Sequence, residues 1–114
     1  METTEIFVPL FVWLLGGSRI GGSYNTYFGS CTEQPDKAAW GQKVFNYVIG
    51  IEKTEDGELL KASVYGGLRS FAAATADDDV TAKAFPCAEE SLGALREWLE
   101  AQRADFFAQD AANG

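Results

Sequence analysis

Few residues in this 114-residue chain are equipped for chemistry. Histidine is absent, which removes the commonest general base and metal ligand, and with it Ser-His-Asp and Cys-His catalysis. Asp, Glu or Lys could still act alone, but an enzyme is not the expectation and no catalytic residue is assigned. Cys31 and Cys87 lack C-x-x-C spacing and are too few for a disulfide framework. They read as small buried hydrophobes in a reducing cytosol. Three adjacent carboxylates, Asp77, Asp78 and Asp79, suggest calcium, but EF-hand ligands alternate, with glycine sixth and glutamate twelfth. Counted from Asp77, those positions hold Ala82 and Ala88, so a solvated turn and no metal are expected. Arg19, at the tip of the glycine-rich stretch 16–22 (GGSRIGG), is the only lysine or arginine in the first 36 residues. The stretch matches neither the P-loop, which needs Lys-Ser/Thr after its last glycine, nor G-x-G-x-x-G. It reads as a hairpin connection, with no cofactor.

The formal charge of −8, from 17 acidic and 9 basic residues, narrows the partners. Phosphates would be repelled, which disfavours direct contact with nucleic acid or an anionic membrane and permits a basic protein surface. A hydrophobic fraction of 46% argues against disorder at this charge. The apolar run 6–15 (IFVPLFVWLL) is about half the length that spans a bilayer. Glu2 and Glu5 precede it in place of the basic residues of a signal peptide, so it is expected to be core and the protein cytoplasmic.

Positioning these residues falls to a β-hairpin over residues 43–65. Phe45, Tyr47, Ile49 and Ile51 alternate along one arm, and Thr54-Glu55-Asp56-Gly57 supplies the turn. Setting Lys53 opposite Glu58 pairs Ile51 with Leu60, Ile49 with Ala62 and Tyr47 with Val64, all on one face. Asn46, Glu52, Lys61 and Ser63 then take the other face, and burial fixes the register. Before the hairpin, residues 6–15 suit a strand with a bulge or edge at Pro9, a short buried helix being the competing reading. Residues 23–31 read as a second strand and 32–42 as a polar loop carrying Trp40. After the hairpin, residues 68–76 fit either helix or sheet, and 80–85 a last strand. Residues 88–108 form the clearest helix, with Ala88, Leu92, Leu95, Leu99 and Phe106 on one stripe and Trp98 at its border. Glu89 and Glu90 are placed in its first turn, with Cys87 as a candidate N-cap. Arg96 and Arg103 stand within helical reach of Glu100. The tail from about residue 109 is expected to fray.

The expected architecture is α+β: one domain over residues 1–114, an antiparallel sheet of four to five strands, and the C-terminal helix across one face. The expected function is a non-enzymatic acidic protein-binding module, an inhibitor of a basic or nucleic-acid-binding protein. In bulk properties alone it resembles the anti-CRISPR-type proteins of phages and mobile elements. Candidate contacts are Glu55, Asp56, Glu58, Asp77, Asp78, Asp79, Glu90, Glu97 and Trp40. Two alternatives stand beside it. One is a small-ligand binder or enzyme using a cleft near Gly16 and Gly22, with Arg19 as anion anchor. The other is a self-associating structural module joined through exposed sheet edges or through the less covered sheet face, which leaves a homo-oligomer open.

Overall fold

The hairpin is the centre of the sheet. In the computed structural model, which describes residues 6–17, 22–32, 44–67 and 69–113, β2 (Val44–Thr54) and β3 (Gly57–Gly66) are joined by a two-residue turn. Their register pairs Lys53 with Glu58, Ile51 with Leu60, Ile49 with Ala62 and Tyr47 with Val64, as the apolar alternation predicts. Gly57 leaves the turn at φ 131°, a backbone that side chains resist. β1 (Tyr27–Thr32) and β4 (Thr81–Pro86) flank the pair, giving a four-stranded antiparallel sheet in the order β1-β2-β3-β4.

One face of this sheet carries the core. Cys31, Phe45, Tyr47, Ile49, Leu60, Ala62, Val64 and Phe85 are all buried there. Its lid has two parts. The larger is the helix α3 (Ser91–Asn113), whose Leu95 and Leu99 are fully buried and whose Leu92, Trp98 and Phe106 pack at the margin. Trp98 meets Phe85 edge-on at 6.4 Å, and Phe106 lies 5.6 Å from Phe45. The second part is residues 6–15, where no strand forms. Pro9 offers no N–H to a ladder, and Leu10 is extended (φ −66°, ψ 147°) as the N-cap of a short helix, α1 (Phe11–Leu15). Ile6 and Leu14 reach into the core, so the C-terminal half of this run is the short helix of the competing reading, but it is buried only at Leu14.

Polar contacts bind the lid to the sheet and its two parts to each other. The Tyr47 hydroxyl accepts from the Phe7 N–H (2.8 Å) and donates to the Phe7 carbonyl (3.1 Å). Arg96 donates to the Ile6 carbonyl at 2.8 Å, joining both halves of the lid. The Tyr47 ring crosses Gly29 on the neighbouring strand. A Cβ at Gly29 would stand 2.5 Å from the Tyr47 hydroxyl oxygen. Gly66 likewise makes room for Phe106, whose Cε1 would lie 2.6 Å from an added Cβ.

The opposite face is drier than its polar residues suggest. Asn46 and Ser63 are buried there with Val44 and Val48. The segment left ambiguous in sequence folds as a helix, α2 (Phe71–Ala76), capped by Ser70, whose side chain accepts from the Ala73 N–H at 3.1 Å. Phe71 packs against Tyr65 at 6.0 Å. Asn46 is satisfied, accepting from Ser30 Oγ and donating to the Gly67 carbonyl, each at 2.7 Å.

Two outcomes are expected. Leu99→Ala should destabilise the fold by about 2–5 kcal/mol, and Gly29→Ala should destabilise it while adding only a methyl group, because the ring above cannot yield without breaking the Phe7 contacts. Urea unfolding reads both, and a Gly29→Ala midpoint equal to wild type would mean the Tyr47 ring does not lie there. Burial also pushes the Tyr47 phenol well above its usual range. The folded state thus keeps a proton that the unfolded chain gives up near pH 10, so stability should fall as pH rises beyond that point. Tyr47→Phe should flatten this alkaline decline and cost about 1–3 kcal/mol at neutral pH. Chemical unfolding at pH 7 to 11 makes that comparison, and parallel pH curves for the two proteins would refute it.

Candidate functional site

The sheet registers sort the carboxylates into two groups at opposite ends of the molecule. At the first end the hairpin turn exposes Glu55 and Asp56, and Thr54 Oγ1 donates to the Gly57 carbonyl at 2.9 Å. β3 pairs with β4 through Leu59 and Pro86, which brings Glu58 beside Cys87 at the next position. The proximity has an electrostatic signature: burial first, and then the Glu58 charge, push the Cys87 thiol above its usual range. Exposed Glu89 and Glu90 follow directly. They lie in a turn and not in the helix: Ser91 N–H donates to the Ala88 carbonyl at 3.0 Å and Leu92 N–H to the Glu89 carbonyl at 3.1 Å before α3 starts at Ser91. Cys87 is therefore not the N-cap of this helix, because the chain spends residues 87–90 turning off β4. Five carboxylates, Glu55, Asp56, Glu58, Glu89 and Glu90, thus share this end with Lys53.

At the other end, Arg69 gathers the second group. Its Nη1 lies 3.0 Å from Asp77, its Nη2 contacts Asp79, and its Nε donates to the Gly66 carbonyl at 2.9 Å. Asp78, between the two partners, takes φ 57°. Asp77 and Asp79, 64% and 65% exposed, thus tie the α2–β4 connection to the end of β3, so the triplet is the solvated turn expected, with an arginine clasp that the sequence did not foresee. Beside the clasp opens a cleft of about 560 Å³, lined by Tyr65, Arg69, Asp79, Gln102, Asp105 and Phe106 among others. Its guanidinium is already neutralised by two carboxylates, so the cleft carries no net attraction for an anion. Among the described residues no group of three acidic, cysteine or histidine side chains is arranged to hold a metal ion.

The remaining candidates are dispersed. Glu97 is exposed on α3, while Glu100 pairs with Arg103 at 2.8 Å and more loosely with Arg96 at 3.9 Å. Arg19 and Trp40 lie outside the described residues. Among those described, no helix is long and apolar enough to cross a membrane. Comparison with family models, curated proteins and solved structures found no match to this chain.

Sequence reading missed the Arg69 clasp. Its one signal was an arginine eight and ten residues ahead of two aspartates, across a segment short enough to fold back. It also missed that the N-terminal apolar run leaves Phe7, Leu10, Val12 and Trp13 exposed.

Neither cysteine is in a disulfide. Burial raises the Cys31 thiol as well, the effect of Arg103 opposing it and that of Glu100 adding to it. Both should therefore alkylate more slowly at neutral pH than the same cysteines in urea-unfolded protein. Mass-resolved iodoacetamide labelling checks this, and fast native labelling of Cys87 would contradict it.

Proposed function

We propose that this chain is a non-enzymatic protein-binding module that presents the carboxylates of its hairpin end to a basic protein surface. The observation that supports this reading is the convergence, through the β3–β4 pairing, of Glu58 with Glu89 and Glu90 beside the exposed turn residues Glu55 and Asp56. Five carboxylates against one lysine make a local field strong enough to steer a cationic partner, and the turn carrying two of them projects beyond the sheet. Asp77 and Asp79, held by Arg69, contribute to the fold, whereas Glu97 extends the acidic surface along α3. Blocking a nucleic-acid-binding groove is one use such a surface fits, since its charge has the sign of the phosphates it would displace.

The test compares wild type with the Glu55→Lys/Glu58→Lys/Glu90→Lys variant, first as baits in affinity capture from the native host and then against the captured partner. All three side chains are exposed, so the variant should keep its stability within about 1–2 kcal/mol. Association with wild type should slow steeply between about 0.02 and 0.15 M salt, over which the Debye length falls to about 8 Å. The variant should bind at least about tenfold more weakly. A partner that binds the variant as tightly as wild type, at a rate indifferent to salt, would remove the acidic end from recognition.

A further inference from the structure

The two edges of the sheet are unlike. The β4 edge carries Lys83 and Pro86 and is bracketed by Asp77, Asp78 and Asp79 on one side and Glu89 and Glu90 on the other. Those are the devices that keep an edge from pairing with another chain. Among the described residues the β1 edge has none of them. Residues 22–32 hold no charged side chain and no proline, and neither do residues 6–17 beside them apart from the buried Pro9. Exposed apolar side chains straddle this bare edge. Phe28 stands on one face of β1. On the other, Phe7 and Trp13 flank the Tyr27 ring at 5.1 and 6.2 Å, with Leu10 and Val12 adjoining. These five side chains are 41–71% exposed.

We infer that the β1 edge is a homodimer interface, on which a second copy of this chain adds its own β1 antiparallel across a two-fold axis to make one eight-stranded sheet. Two features on the molecule favour a second copy as the occupant. The first is charge. Each copy carries −8, so two copies meet most easily where carboxylates are fewest, and among the described residues the β1 edge with residues 6–17 presents none. A strand edge with alternating donors and acceptors is also self-complementary, as an isologous contact requires. The second feature is area. Five large side chains at this exposure offer about 100 Å² each, or about 500 Å² per copy and about 1,000 Å² for the pair, the threshold for a specific interface. The inference is independent of the acidic end, which this pairing leaves uncovered.

Sedimentation of the full chain from low micromolar to sub-millimolar concentration tests it. A dimer is expected, and raising salt from about 0.02 to 0.5 M should leave it unchanged or tighten it, because screening relieves repulsion between two acidic bodies. Phe28→Lys, which places a charge on the edge, should weaken the dimer about tenfold or more. Leu10→Glu, off the strand, should do the same and keeps the test decisive if the strand variant fails to fold. Lys83→Ala on the opposite edge should change nothing. A wild-type monomer across this range would overturn the inference and leave the edge to a strand of another protein. A dimer untouched by both apolar substitutions, or broken by the one at Lys83, would overturn it too.

Discussion

The register of the central hairpin is the constraint from which the rest of the structure follows. Pairing Lys53 with Glu58 places Phe45, Tyr47, Ile49, Leu60, Ala62 and Val64 on a single face. A shift of one residue would exchange that set for Asn46, Glu52, Lys61 and Ser63. The same register decides where large rings can lie. Gly66 sits opposite Phe45 and admits Phe106, and Gly29 sits opposite Tyr47 and lies beneath its ring. Both glycines are thus explained by what crosses above them. The Tyr47 hydroxyl then meets the Phe7 backbone, so the hairpin also dictates the path of the N-terminal segment.

The elements most legible in the sequence are those whose burial is one-sided and periodic. The hairpin alternates and the C-terminal helix repeats at helical spacing, so each announces both its type and its inward face. Residues 6–15 are apolar at almost every position and announce neither. Proline decides the matter there, by denying a ladder bond at Pro9 and leaving Leu10 to cap a helix. The outcome is a segment with Ile6 and Leu14 inward and Phe7, Leu10 and Val12 outward, a division that no hydropathy pattern marks. The helix start was misread for a related reason. Glu89 and Glu90 suit a first helical turn by charge, but the chain must first leave β4, and that reversal consumes residues 87–90.

The candidate site was legible as residue types and illegible as an assembly. Glu55, Asp56 and Glu58 belong to a turn that the sequence announces. That Glu89 and Glu90 join them depends on the pairing of β3 with β4, a contact between strands separated by the whole of α2. The same long-range pairing sends Asp77 and Asp79 to the opposite end and into the grip of Arg69. Two members of the acidic triplet, Asp77 and Asp79, are ion-paired with Arg69, while carboxylates scattered over 36 positions form the cluster at the hairpin end.

The division of the surface has a mechanical consequence. β1 begins opposite Ile49, and the hairpin runs five residues further before its turn, which at the rise of an extended strand is about 17 Å. That is roughly twice the screening distance at physiological ionic strength. Carboxylates at the hairpin end therefore impose little repulsion on a partner strand at the β1 edge, and a strand added there does not reach the turn. The two surfaces also obey opposite laws. Attraction of a cationic partner to the acidic end weakens as salt rises, whereas apolar and backbone pairing along the neutral edge does not. The proposed recognition end and the proposed self-pairing edge would thus fit on one small sheet, because the central hairpin is long enough to hold them apart.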